Sequence, residues 1–226
     1  MSRLLTIGDI HGCAMALETL AGFVPLADDD LLVTLGDYVD RGPNSREVLD
    51  WLIKRHARGN LIPLCGNHEI MMLQARDDDA SLRFWLALGG AEAVASYGRG
   101  RGGRISDVPD AHWEFLEYET RPYYETDTHF FVHANALADW PLAEQPDRAL
   151  FWDKFDNPPP HQSGKIMICG HTAQRSGRPL DIGHAVCIDT WVYGRGWLTC
   201  LDPETGEYWQ ANQLGETRRD WLESRP

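Results

Sequence analysis

Three short apolar runs, each closed by a glycine and then by a side chain able to bind metal, restrict this chain more than any other feature. Leu4–Ile7 leads into Gly8-Asp9-Ile10-His11-Gly12, Leu31–Leu35 into Gly36-Asp37-Tyr38-Val39-Asp40-Arg41-Gly42, and Leu61–Cys65 into Gly66-Asn67-His68-Glu69. Short, mostly aliphatic runs of this kind read as buried strands. Between them, Ala14–Phe23 and Ser45–His56 carry apolar residues at three- and four-residue spacing and predict helices, the second capped by Asn44 or Ser45. A strand-to-strand interval of about thirty residues is the size of a βαβ unit. Two units in succession predict parallel strands with right-handed crossovers. The carboxyl ends of such strands meet at one sheet edge, where ligands bind.

The rest of the chain divides in two. Ile70–Trp113 has no strand-like run and reads as a helical insertion, extending to about residue 125, with helices at Ser81–Leu88 and near Ala91–Tyr97. Beyond it, His129–Val132, Lys165–Cys169, Val186–Ile188 and Trp197–Leu201 read as strands. Short turns such as Asp202-Pro203-Glu204-Thr205-Gly206 predict antiparallel pairing there. With 226 residues and no linker or repeat, residues 1–226 are expected to form one α/β domain.

Two of the later strands also end in candidate ligands, at Val132-His133-Ala134 and Cys169-Gly170-His171-Thr172. Five strand ends thus bring Asp9, His11, Asp37, Asn67, His133 and His171 toward one place. Carboxylate, amide oxygen and imidazole together suit borderline divalent ions such as manganese, iron or zinc. Six ligands exceed the need of one tetrahedral zinc and fit two ions ~3.5–4 Å apart with a bridging carboxylate. Asp37, between the His11 and Asn67 loops, is the natural bridge. Beside this set, Arg41 can fork onto phosphate oxygens. His68 can protonate a leaving alkoxide, and Asp40 can fix its tautomer.

Other stretches read more plainly. Asp28–Asp30 and Asp77–Asp79 are expected to be solvated turns or helix flanks, and Gly98–Arg104 a mobile basic loop. The five cysteines match no zinc or disulfide spacing and read as free thiols in a reduced cytoplasm. A formal net charge of -13 argues against nucleic acid as a partner. No apolar run nears the ~18 residues needed to span a bilayer. The first nine residues are too short and polar for a secretory signal, so the mature chain is expected to start at Met1.

The blocks GDIHG (Gly8–Gly12), GDYVDRG (Gly36–Gly42), GNHE (Gly66–Glu69), VHA (Val132–Ala134) and GHT (Gly170–Thr172) resemble the metallophosphoesterase superfamily. Within it the resemblance is to the phosphoprotein phosphatase branch, in particular small bacterial and bacteriophage lambda-like serine/threonine phosphatases. It covers Ile7 to about Leu201. The resemblance implies two mixed β-sheets packed as a sandwich flanked by helices. It implies Asp9, His11 and Asp37 around one metal, with Asp37, Asn67, His133 and His171 around the other, and Asn67 also near the substrate. It further implies a metal-bridging hydroxide attacking phosphorus in line, His68 as acid paired with Asp40, Arg41 on phosphate, and manganese as the usual ion, with nickel among the alternatives. A phosphorylated protein is the expected partner, and the expected state is a monomer.

The sequence departs from that pattern in three places. Asn135 stands where Gly often follows His-Ala. Lys154 stands where a second phosphate-binding Arg is expected, and it supplies charge without the bidentate fork. Trp191 follows Asp189-Thr190 where Gly is common and is expected at the cleft rim. The runner-up reading is a symmetrical diadenosine-tetraphosphate hydrolase, a branch that usually differs at Asp40. A scaffold without catalysis is disfavoured because all six ligands and His68 are present. A phosphodiesterase or nuclease is disfavoured by the acidic balance.

Overall fold

In the computed structural model, which describes residues 3–98 and 102–223, the first three runs form β1 (Leu4–Ile7), β2 (Leu31–Thr34) and β3 (Leu61–Pro63). They pair in parallel, β1 with β2 and β2 with β3, and α1 (Ala14–Phe23) and α2 (Ser45–His56) make the crossovers. The start at Met1 and the middle of the Gly98–Arg104 stretch lie outside the described residues.

The remaining elements are α3 (Asn67–Ala75), α4 (Asp79–Trp85), α5 (Ala91–Tyr97), α6 (Asp110–Glu114), β4 (Tyr123–Glu125), β5 (His129–Val132), α7 (Asp147–Phe151), β6 (Ile166–Cys169), β7 (Leu180–Asp181), β8 (Ala185–Cys187), β9 (Leu198–Leu201), β10 (Glu207–Ala211) and β11 (Thr217–Trp221). One sheet has the order β11-β10-β9-β1-β2-β3 and the other β4-β5-β6-β8-β7. The two are mixed sheets flanked by helices.

Side-chain alternation along the strands sorts the apolar residues into layers. Val33, Leu35, Phe131, Ile168, Val186, Ile188, Leu201 and Tyr208 pack together between the sheets. Leu5, Ile7, Leu32, Leu198, Cys200 and Trp209 face the other way, onto α1, α2 and the helical segment after β3. On the second sheet, Phe130, Val132, Met167, Cys169, Ala185 and Cys187 face outward onto α7 and its loops.

Two expectations are corrected. The second half is not simply antiparallel: β5, β6 and β8 run parallel, because long excursions rather than tight turns separate them. Antiparallel pairing occurs at β4–β5, at β7–β8, in the β9–β10–β11 meander, where the Asp202–Gly206 turn lies, and where β9 joins β1 in the middle of the first sheet. Nor is Asp30 solvated. It is 1% exposed and ion-pairs with Arg3, Nη2 to Oδ2 at 2.6 Å. Asp78 does flank a helix, accepting from Ser81 N as the α4 cap.

The cysteines are all free; Cys65 is half-buried and the other four are buried. Among the described residues, no helix is long and apolar enough to cross a membrane.

Candidate metal centre

The five expected strand ends converge. Asp9 and His11 follow β1, Asp37 follows β2, Asn67 opens α3 after β3, and His133 and His171 follow β5 and β6. The close approach of the β2 and β3 loops requires small residues there. A Cβ on Gly36 would lie 2.6 Å from Gly66 N, and one on Gly66 would collide with Asp37. Five of the candidate residues hold positive φ without being glycine: His11 (46°), Asp37 (51°), Asp40 (74°), Arg41 (65°) and His171 (63°). Such backbone is costly and persists only where surrounding contacts enforce it.

Two groups of ligand atoms, each within 4.8 Å of one another, share Asp37: His11, Asp37 and His68, and Asp37, His133 and His171. Asp37 Oδ2 lies 3.4 Å from His11 Nε2, and Oδ1 lies 3.4 Å from His133 Nε2. Asp9 stands outside these groups. Both its oxygens accept from His171 N, at 3.2 and 3.0 Å.

Hydrogen bonds at the far side of each ring fix which nitrogen carries the proton. His11 Nδ1 donates to Val39 O (3.0 Å), His133 Nδ1 to Leu35 O (2.8 Å), and His171 Nε2 to Trp152 O (3.2 Å). The opposite nitrogens are left as bare lone pairs turned inward, the usual arrangement behind metal-binding imidazoles. Asn67 Oδ1 then lies 2.9 Å from both His133 Nε2 and His171 Nδ1, acceptor against acceptor. A cation between them makes such a contact favourable.

The charges point the same way. Burial, then Asp189 and Asp37, push the Asp9 carboxyl well above its ordinary range. Burial pushes Asp189 up to about 6. Asp189 is 1% exposed, and its Oδ2 has no hydrogen-bond partner. Burial opposes ionisation of Asp37 too, but the His133, His68, His11 and His171 rings outweigh it and hold the carboxyl well below the usual range. Burial lowers His11 and His133, and lowers His171 to about 4, while the Asp37 charge opposes the shift in each. Crowded carboxylates and inward lone pairs fit a pair of divalent ions.

The acid-and-phosphate group adjoins this cluster. His68 Nδ1 lies 2.5 Å from Asp40 Oδ2, and Nε2 faces Arg41 Nη2 at 3.0 Å. Burial lowers the His68 pKa, but Asp37 and Asp40 more than offset it and raise it above the usual value. Arg41 Nη1 reaches His11 Nε2 at 2.9 Å, so positive charge already lies against the cluster. Lys154 lies on a segment beside the cluster. It is exposed, and its segment adjoins the site through Trp152 O on His171 and Phe155 N on Thr172 Oγ1.

Four residues that pattern reading did not single out complete the surroundings: Glu69, Trp85, Asp189 and Tyr193. Trp85, fully buried on α4, donates Nε1–H to both oxygens of Asp40 (3.0 and 2.9 Å). The helical segment therefore buttresses the acid pair. Tyr193 stands edge-on to His11, ring centroids 4.8 Å apart.

Glu69, at the start of α3, accepts from Asp37 N (2.7 Å), Tyr38 N (2.8 Å), Val39 N (3.3 Å) and Gly66 N (2.9 Å). Burial and the Asp37 charge raise its carboxyl to about 8, and the backbone donors offset only part of that cost. Glu69→Gln keeps one acceptor oxygen and strands two buried N–H groups at ~1–3 kcal/mol each. A melting temperature lower by roughly 4–24 °C is expected, at ~2–4 °C per kcal/mol for a chain of this size. Calorimetric melts of the two proteins check it, and an unchanged midpoint would refute the bracing role.

Comparison with known proteins supplies the relatives. The sequence profile of the calcineurin-like phosphoesterases matches residues 2–193. Serine/threonine-protein phosphatase 2 of Salmonella typhimurium is 32% identical over 143 residues, 62% of this chain and 59% of the relative. A symmetrical bis(5'-nucleosyl)-tetraphosphatase of Methylobacillus flagellatus is 31% identical over 173 residues, 72% of this chain and 56% of the relative. The chain thus spans less than two thirds of the length of these relatives. A solved serine/threonine phosphatase from Saccharomyces cerevisiae shares the fold, with a TM-score of 0.62, 17% identity, and coverage of 100% of this chain and 81% of that one.

Proposed function

Because the chain belongs to the calcineurin-like phosphoesterase family, whose members use a dinuclear divalent metal site, we propose that it is a phosphomonoesterase acting on phosphoserine or phosphothreonine in proteins. Phosphotyrosine is a further substrate for the same chemistry. Asp9, His11 and Asp37 would hold one ion, and Asp37, Asn67, His133 and His171 the other. The mixed oxygen and nitrogen donor set favours manganese. Two such ions supply an activated water at neutral pH and charge neutralisation at the phosphoryl oxygens.

The chain's own groups do the rest. The Arg41 guanidinium binds two phosphoryl oxygens with its planar fork. His68 donates the proton on Nε2 to the departing oxygen, while its Nδ1–H stays on Asp40 Oδ2. Asp40 in turn is held by Trp85 and by its own N–H on Ser45 Oγ at 3.1 Å. The ring is therefore fixed in orientation before substrate arrives.

The Asp40–His68 pair carries the choice of substrate. A serine or threonine alkoxide is a poor leaving group and needs a proton as the bond to phosphorus breaks. A nucleotide leaving through a phosphate oxygen needs much less help. A buried carboxylate bonded to the acid imidazole suits the first task. The second reading, a symmetrical dinucleotide tetraphosphatase, is favoured by relatives of that name with similar identity.

Turnover of phosphoserine, phosphothreonine and phosphotyrosine peptides, set against diadenosine tetraphosphate in manganese chloride, decides between them. We expect kcat/KM on a phosphoserine or phosphothreonine peptide to exceed that on the dinucleotide by at least ~10-fold. The reverse order would overturn the protein phosphatase reading in favour of the dinucleotide one.

A further inference from the structure

Arg41 is a long, flexible side chain, and holding it in one place costs conformational entropy. Its backbone is fixed by N–H donation to Gly89 O at 3.0 Å. Its head has three contacts. Two are His11 Nε2 and His68 Nε2, and both nitrogens have other duties, one as an expected metal ligand and one as the proton-donating atom. The third is the face of Tyr193, whose centroid lies 4.5 Å from the guanidinium carbon. That contact uses no lone pair that a metal or a proton requires.

Tyr193 is itself held firmly. It sits in a turn between Trp191 and Trp197, which bridge each other. The turn is closed by Gly194 N and Gly196 N on Trp191 O (3.0 and 3.1 Å) and by Trp197 N on Thr190 O (2.9 Å). Val192 anchors it at 2% exposure. At the turn's start Trp191 takes a φ of 64°, and its N–H donates to Asp189 Oδ1 at 3.0 Å. The Trp191 ring meets Tyr193 edge-on, centroids 6.3 Å apart at 87°. The Tyr193 ring is thus gripped between Trp191 and His11 with a face presented to Arg41.

We propose that Tyr193 is a positioning residue that holds the Arg41 guanidinium, through cation–π stacking, in place for the phosphoryl oxygens of the substrate. The assignment rests on the reading of Arg41 as the phosphate-binding residue. A stack of this kind acts on the phosphoryl group whether or not the ester bond has begun to break. It therefore governs phosphate affinity and KM more than kcat.

Inorganic phosphate binding by titration calorimetry in excess manganese chloride, beside p-nitrophenyl phosphate kinetics, tests this. Tyr193→Leu should weaken phosphate binding by ~3- to 30-fold. KM should rise in parallel, with kcat reduced much less. Tyr193→Phe, which keeps the face and loses the hydroxyl, should stay within ~2-fold of the parent on the same grounds. In an Arg41→Ala background, Tyr193→Leu should add nothing. Should the leucine variant melt early, Tyr193→Met keeps the bulk without the aromatic face and gives the same comparison.

The proposal is overturned if phosphate binding survives Tyr193→Leu unchanged, if Phe costs as much as Leu, or if the loss is undiminished without Arg41. It is also overturned if the parent binds no phosphate. A parent that binds phosphate through Tyr193 and Arg41 yet hydrolyses no phosphoester would support the positioning role while refuting the phosphatase reading, so the two fail separately.

Discussion

An Asp37→Asn variant is expected to lose both metal sites together, with affinity for manganese down by more than the ~10–100-fold typical of outer-shell substitutions and turnover falling in step. Asp37 is the one residue shared by the two ligand groups. Its two oxygens face different partners, Oδ2 toward His11 and Oδ1 toward His133. Asparagine removes the charge and turns one of those oxygens into a donor. The backbone should tolerate the change, since asparagine accepts the positive φ of 51° found there. The variant should still melt in one cooperative transition without added metal, which separates a lost ligand from a lost fold. Titration calorimetry with manganese chloride reads the effect. Two sites of undiminished affinity in the variant would rule out the bridging role.

The second large effect is expected at His68, and its size should depend on the leaving group. For a phosphoserine peptide, His68→Ala should lower kcat by ~10²–10⁴-fold, the usual contribution of a positioned acid, with KM close to the parent's. For p-nitrophenyl phosphate the same substitution should cost far less, because an acidic phenol departs without a proton. The ratio of the two losses is the measurement. Equal losses on both substrates would mean that His68 acts in another way, for example by ordering Arg41, whose Nη2 it meets at 3.0 Å.

The convergence of ligands was legible because three glycine-closed runs at regular spacing predict parallel strands, and parallel strands aim their ends at one edge. α3 escaped because Ile70, Met71, Met72 and Leu73 are contiguous. Asn67, His68, Glu69, Met71, Met72 and Ala75 are all buried, so the segment shows no single apolar stripe. β11 escaped for the opposite reason. As an edge strand it is polar, Thr-Arg-Arg-Asp-Trp, and half exposed along its length.

Trp85 and Tyr193 could not be found from spacing at all. Their roles exist only once α4 reaches Asp40 and the turn 191–197 reaches Arg41. The backbone at His11, Asp40 and Arg41 was equally hidden, since nothing in those residue types announces a left-handed conformation that neighbouring loops impose.

The six candidate ligands do not come from one sheet. Asp9, His11, Asp37 and Asn67 hang from the β1–β2–β3 leaf, and His133 and His171 from the β5–β6 leaf across the sandwich. Ions seated there would rivet the two leaves at their shared rim. Metal supply and the strength of that seam then become a single equilibrium, in which 100-fold excess over the dissociation constant is worth ~2.7 kcal/mol per site. A cell starved of the ion would hold not merely an idle enzyme but a looser one, more open to proteases along the very edge where it works.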